Sequence, residues 1–136
     1  MNLKAFLKGN AIEAKKEVEC VVSDRFKDEA GKPVPFLLRL LEPTEITAIQ
    51  NSGIVKDKKG NIDYKSDVMQ LNLVVASIKE PDLLNKELQD SYNVTTPHDL
   101  INKMLTGPEY VGLSARCMSL QGLNQTLDDK VDEVKN

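Results

Sequence analysis

Histidine and cysteine are the residue types that most often supply a nucleophile, a base or a zinc ligand, and this sequence holds few of them. It contains one histidine, His98, and two cysteines, Cys20 and Cys117. A structural zinc site needs several such ligands at short spacing, which this set does not provide. A Cys117/His98 nucleophile pair is left open by sequence distance alone. We expect a capping turn around His98 and two buried, reduced thiols.

Motifs for cations, phosphates and acid–base catalysis are also weak. Residues 57–63 carry aspartates at both ends, but Lys59 stands where a calcium loop needs a ligand oxygen. Gly31 and Lys32 precede Pro33, which lacks the N–H group that a phosphate cradle uses. The paired acids of residues 128–133 lie in a polar stretch with no pocket to shift a pKa. We therefore predict no catalytic, cofactor or metal residue and a protein that is not an enzyme.

Length and composition limit the partners. The chain has 136 residues, 40% hydrophobic and 29% charged, and a net charge of −3, which is typical of one globular domain without attraction to phosphate. Aromatic residues make up only 4%, too few for base stacking, so nucleic-acid binding is disfavoured. There is no apolar run near the ~18 residues of a membrane span. A cytoplasmic protein with neither nucleic-acid nor membrane partner is expected.

The first third of the chain is predicted to be β. Alternating apolar residues predict strands over 17–26 and 34–41, and Gly31 between them can close a turn that makes the two strands antiparallel neighbours. Arg39 stands alone among apolar residues of the second strand, so we expect it to face solvent or an acidic neighbour. A second, exposed β-finger is predicted over 54–64, around Gly60.

Helical signals dominate the remainder. We predict helices over 44–52 with Thr44 as the cap, over 66–79 and over 82–92, and two more that begin at Pro97 and Pro108. The helix over 66–79 is apolar nearly all round, which is typical of a buried helix. The predicted fold class is therefore α+β, with N-terminal antiparallel β-hairpins packed against a mainly helical C-terminal part that has a buried central helix.

The last residues differ from the rest in composition. Residues 124–136 are polar, with Leu127, Val131 and Val134 at helical spacing. This apolar stripe is too thin to hold a helix in place, which predicts either a mobile tail or a segment that orders on a partner. We predict a single globular domain over 1–123 and a polar, mobile tail over 124–136.

Three stretches, taken together, resemble a known family. They are residues 23–28 (SDRFKD) followed by 31–34 (GKPV), residues 74–83 (VVASIKEPDL) with 88–92 (LQDSY), and residues 104–110 (MLTGPEY). Their order and spacing are similar to those of the XkdN-like tail assembly chaperones of bacteriophages and defective prophages, over roughly residues 3–123. The resemblance implies a small protein of the bacterial host cytoplasm that binds the tape-measure protein and keeps that client soluble while the tail is assembled. It leaves tail-tube subunits open as a second partner. It implies no cofactor and no catalytic residue.

A protein that keeps a client soluble needs an apolar helical surface to which a client helix can bind. We predict that the last two helices and the tail supply it, through residues spaced along their apolar stripes: Leu100, Ile101, Met104, Leu113, Met118, Leu127 and Val131. Two alternatives stay open: a small structural or tail-completion protein retained in the phage tail, and a hydrolase that uses Cys117 or an acid. Self-association is left open as well.

Overall fold

A computed structural model describes residues 1–123 of the chain. Two strands come before the first α-helix, and five α-helices follow with three short strands among them, which confirms the predicted α+β class. The elements are a 3₁₀ turn (Leu3–Phe6), β1 (Glu17–Cys20), β2 (Phe36–Arg39), α1 (Pro43–Asn51), β3 (Ile54–Lys56), β4 (Ile62–Tyr64), α2 (Ser66–Ser77), β5 (Ile78–Glu80), α3 (Lys86–Ser91), α4 (Pro97–Met104) and α5 (Gly107–Leu120).

The main sheet has the strand order β1-β2-β5, and both pairs are antiparallel. Pairing of Glu17 with Arg39 and of Cys20 with Phe36 confirms the predicted hairpin. Its strands are shorter than predicted, because the chain turns after β1 and the Ser23 hydroxyl accepts a hydrogen bond from the Arg25 N–H. The long connection is closed at its far end by Gly31, whose φ of +79° favours glycine.

Strand β5 was not predicted. Its three residues fall where the apolar pattern of α2 predicts a helix to residue 79, but α2 ends at Ser77 and Ile78 pairs with Leu38 of β2. Pro81 is the signal that favours the observed ending, since the residue before a proline is pushed out of the helical region. The sheet therefore gains its third strand directly from the end of the central helix.

Helix α2 is the centre of the molecule, as predicted. It packs against α1, α4, α5 and β5, and its Leu73 and Val74 side chains are fully buried. Val68 is the exception to the all-round burial, because it lies on the solvent side of the first turn. The core around α2 joins sheet and helices through buried apolar side chains: Phe36, Leu38, Met69, Leu73, Val74, Ile78, Leu83, Val94, Leu100, Ile101, Met104, Leu105, Leu113 and Cys117.

Two predicted helix starts need correction. The cap of α1 is Glu42 and not Thr44, two residues earlier than expected, because Glu42 and Glu45 form a reciprocal capping box. Helix α3 begins at Lys86 and not near residue 82, since the Asn85 side chain caps it by accepting the Leu88 N–H at 2.9 Å. The predicted helix start at Pro97 is confirmed.

The β-finger over 54–64 is confirmed as an exposed two-stranded ribbon. Gly53 at its base is buried under the Tyr64 ring, and a Cβ atom there would lie 2.8 Å from that ring. Glycine is the residue that allows this approach. Arg39 meets the predicted acidic neighbour: its guanidinium donates to Glu45 at 2.7 Å and to the Ala76 carbonyl at 2.9 Å.

No helix within residues 1–123 is long and apolar enough to cross a bilayer. The tail predicted over 124–136 lies outside the described residues, so the division into a domain and a tail stays a prediction.

Candidate protein-binding surfaces

His98 and Cys117, the side chains most capable of chemistry, have structural roles. His98 lies in the first turn of α4, where Thr96 is the cap, and its Nε2 atom lies 2.7 Å from the Asn72 side-chain oxygen. Burial raises the pKa of the Cys117 thiol to about 12, and Ser77 beside it only partly opposes that shift. A thiol with so high a pKa holds almost no thiolate at neutral pH, which is the form a nucleophile needs.

Ligands for a metal ion are not gathered in the part of the chain that the structure describes. Within residues 1–123, no group of three or more His, Cys, Asp or Glu side chains is arranged to hold one. Burial also raises the pKa of the Cys20 thiol, with a smaller opposing effect from Arg116. The features with the clearest geometry are instead two apolar surfaces, one on α5 and one beside β2.

Helix α5 owes its position to its first turn. The Thr106 hydroxyl accepts the Glu109 N–H, and the Glu109 carboxylate accepts the Thr106 N–H, so the predicted capping box is confirmed. Pro108 occupies the first turn, where its missing N–H costs nothing. This start sets the rotation of the helix, and with it the two faces that α5 turns toward the core and toward solvent.

The inner face of α5 is sealed. Leu113 and Cys117 are buried against α2, with 2% and 0% of their surface exposed. Their spacing of four residues places them on one side of the helix. Ser114, also buried, lies next to them. This face therefore belongs to the core.

The outer face of α5 is apolar but open. Val111 is 67% exposed, Ala115 is exposed, and Met118 is half-buried. We call these three residues, spaced like one face of a helix, the outer strip. Beside it lies a shallow depression of about 220 Å³ between α2 and α5, which Gln70 and Tyr110 also line. An apolar strip next to a depression is the arrangement that accepts another amphipathic helix.

A second apolar surface lies beside β2. We call it the hairpin groove; it has a volume of about 410 Å³ and one charged lining residue, Glu80. Its other lining residues come from the β1–β2 connection, β2, α3 and α4: Phe26, Val34, Pro35, Phe36, Pro81, Leu88, Tyr92 and Met104. The rings of Phe26 and Phe36 form its wall, with centroids 5.9 Å apart.

An ion pair holds that wall in place. Arg25 donates to both carboxylate oxygens of Glu109 and, at 3.0 Å, to the Met104 carbonyl, and its guanidinium covers the Phe26 ring at 5.0 Å. The Arg25 guanidinium is the largest cause that holds the pKa of Glu109 well below its usual range. The bond therefore ties the β1–β2 connection to the start of α5, next to the hairpin groove.

Comparison with known proteins identifies the family. The model of the phage XkdN-like tail assembly chaperone proteins matches residues 3–135, nearly the whole chain. This chain belongs to the XkdN-like tail assembly chaperone family. It is 27% identical over 140 residues to the phage-like element PBSX protein XkdN of Bacillus subtilis strain 168, covering 99% of this chain and 94% of that protein. The family is one of assembly chaperones and not of enzymes.

Two further comparisons concern the protein YqbN of Bacillus subtilis strain 168. Its sequence is described as uncharacterized and is 28% identical to this chain over 140 residues, 99% of this chain and 93% of that protein. A crystal structure of the protein YqbN covers 90% of this chain and 97% of its own, with a TM-score of 0.73 and 24% identity. That likeness shows a shared fold, and the resemblance predicted from sequence is confirmed by the family match.

The residues predicted to bind a partner lie in three different environments. The inner residues Leu100, Ile101, Met104 and Leu113 are buried in the core. Met118 is half-buried on the outer strip, and Leu127 and Val131 lie outside the described residues. Met104 also lines the hairpin groove, whereas a partner reaches Leu100, Ile101 and Leu113 only where α4 and α5 separate from the rest of the core. Their role in binding stays a prediction.

Sequence reasoning missed residues on both apolar surfaces. The sequence places Val111 and Ala115 in the same apolar pattern as Leu113 and Cys117, yet they are exposed on the outer strip. Val34, the first residue of the strand predicted over 34–41, precedes β2, is 46% exposed and lines the hairpin groove. The signal that was available for α5 is rotation, because Val111 and Leu113 lie 200° apart on a helix of 3.6 residues per turn and cannot share one face.

Proposed function

We propose that this chain binds the tape-measure protein, and tail-tube subunits where they are present, and keeps the tape-measure protein soluble during tail assembly in the host cytoplasm. The role is non-catalytic and needs no cofactor. The observation that carries the proposal is the outer strip of α5, where Val111, Ala115 and Met118 leave an apolar helical face uncovered in a chain of an assembly-chaperone family. A long helical client offers amphipathic helices, which dock on such a face through residues at the same spacing.

The tail extends this surface in the proposal. Leu127 and Val131 lie four residues apart, at helical spacing, and a segment that orders on its partner wraps more client surface than a rigid face does. The buried residues Leu100, Ile101, Met104 and Leu113 take part in a deeper mode, in which α4 and α5 open toward the client. Binding through the outer strip requires no such opening.

Co-expression with the tape-measure protein encoded in the same tail-assembly region tests the proposal. We expect the soluble fraction of the tape-measure protein to rise several-fold with the wild-type chain and to fall back with Val111→Lys, which puts a charge in the apolar strip. Ile62→Lys is the matched control, since Ile62 is 71% exposed on the distant β-finger. Deletion of residues 124–136 measures the contribution of the tail.

Three results decide the outcome. A soluble fraction that is unaffected by the chain overturns the client-holding function. Equal losses from Val111→Lys and Ile62→Lys overturn the assignment to the outer strip. Recovery of the chain from purified tails by mass spectrometry favours the alternative of a small structural or tail-completion protein, because an assembly chaperone leaves the finished particle.

A further inference from the structure

Residues 1–16, the leading arm, carry apolar side chains that the rest of the described chain leaves uncovered. All sixteen residues are exposed. Leu3, Phe6 and Leu7 lie three and four residues apart around the 3₁₀ turn, and Phe6 is 75% exposed. The arm has local order of its own, since the Asn10 side chain donates to the Lys4 carbonyl at 2.8 Å. A small ordered apolar cluster on an exposed segment is suited to binding another surface.

The hairpin groove complements the leading arm in its apolar lining and in its charge. Its lining is apolar except for Glu80, and the segment that borders it, residues 80–92, contains four acidic residues and one lysine, a net charge of −3. The leading arm contains four lysines and one glutamate, a net charge of +3. Among the described residues neither Lys4 nor Lys8 forms an ion pair, and neither Glu80 nor Glu87 does. Opposite charge around matching apolar surfaces sets the orientation of docking.

Within one chain, the leading arm joins the sheet at the end of β2 that is opposite to the hairpin groove. The arm enters the sheet at Glu17, which pairs with Arg39, whereas the groove lies at the other end of β2, at Phe36. We propose that the leading arm of one copy docks in the hairpin groove of a second copy, with Phe6 and Leu7 in the groove and Lys4 and Lys8 toward its acidic border. A two-fold pair satisfies both arms at once.

This surface is separate from the outer strip of α5, so the inference does not depend on the proposed client. It makes the chain a dimer at least, held by reciprocal contacts that are partly ionic. Since exposed ion pairs are screened by salt, the association should weaken markedly at about 1 M salt, where the Debye length is about 3 Å.

A charge-swap experiment on the full-length chain tests the proposal. Sedimentation velocity at micromolar concentration is measured for the wild type, for Lys4→Glu/Lys8→Glu and for Glu80→Lys/Glu87→Lys. We expect the dissociation constant of each variant alone to rise about tenfold or more, because its own arms and grooves now repel. In an equimolar mixture of the two variants, every arm meets a groove of opposite charge, and dimers should return to near the wild-type level.

Controls separate this interface from folding and from client binding. All four residues are exposed, so urea unfolding of each variant should match the wild type. Val34→Lys, at the groove, should weaken the dimer, while Val111→Lys, on the outer strip, should leave it unchanged. A wild type that stays monomeric, or a mixture that does not recover dimers, overturns the proposal. A monomer whose arm covers its own groove, seen as a charge-dependent change in sedimentation without a change in mass, also overturns docking in a second copy.

Discussion

Apolar residues lie on two sides of α5, and only one of those sides is buried. The inner face places Leu113 and Cys117 in the core, and the outer face leaves Val111 and Ala115 in solvent. Both are apolar, and both are spaced as one side of a helix. A helix that served only the core would have polar residues on the outer face. The difference indicates that α5 carries more apolar residues than the core buries. The proposed function assigns the exposed ones to client binding.

Truncation of one residue on each face is the most direct test of this difference. Leu113→Ala should lower the free energy of unfolding by about 2–5 kcal/mol, because it removes buried methyl groups and leaves a cavity. Val111→Ala should change it by less than about 0.5 kcal/mol, since its side chain is already in water. Urea unfolding followed by circular dichroism measures both. Equal losses would mean that the outer face is covered in solution.

The same contrast explains which parts of the structure the sequence predicts. Capping residues are local, so the starts at Thr96 and Thr106 were predictable. Strand β5 was not, since Ile78 fits a helix pattern as well as a strand and only its pairing with Leu38 decides. The hydrophobic pattern could not predict the outer strip or the hairpin groove, for a related reason. Hydrophobicity marks a residue as apolar, whereas its exposure depends on which other elements pack over it.

Thiol reactivity distinguishes the sealed side of α5 from the neighbouring strand. Cys117 is buried, and its pKa of about 12 leaves it roughly a thousandfold less thiolate near pH 8 than an ordinary thiol of pKa 9. Cys20 on β1 is only half-buried, with its pKa raised as well. We expect a disulfide reagent to modify one thiol per native chain, slowly, and the second only in urea.

Two single-cysteine variants assign the phases of that reaction. Cys20→Ser should abolish the native phase, and Cys117→Ser should abolish the urea-dependent phase. Modification of both thiols at one rate in the native protein would contradict a sealed inner face.

Gly112 lies between the two faces, and its replacement should have a smaller effect of the opposite sign. Apart from its chain neighbours and the backbone of its own helix, no atom lies within 4 Å of a Cβ placed there, so Gly112→Ala should raise the free energy of unfolding by up to about 1 kcal/mol through helix propensity. Gly53→Ala is the matched contrast, because its Cβ would lie 2.8 Å from the Tyr64 ring and 3.0 Å from the Lys65 carbonyl oxygen, and it should destabilise the fold. A loss of stability in Gly112→Ala would mean that another surface already approaches this part of α5.

The smallest effect is expected at the start of α5, where Glu109 links the helix to the hairpin groove. Its pKa is held well below the usual range, chiefly by the Arg25 guanidinium. A carboxyl whose pKa is lowered by folding stabilises the native state fully above its unfolded pKa, near 4.5, and progressively less as the pH falls below it. Glu109→Gln should therefore be less stable than the wild type at pH 7, and the gap should narrow on acidification toward pH 3.

Thermal unfolding between pH 7 and pH 3 measures that gap. Arg25→Gln removes the same ion pair from the other side, so its own loss of stability relative to the wild type should shrink over the same pH range. The double variant should lose little more stability than either single variant. The Gln side chain can still complete the capping box with Thr106, which keeps the comparison on the ion pair and not on the helix start. Two losses that simply add, with no dependence on pH, would mean that Arg25 and Glu109 act independently and that the wall of the hairpin groove is held by packing alone.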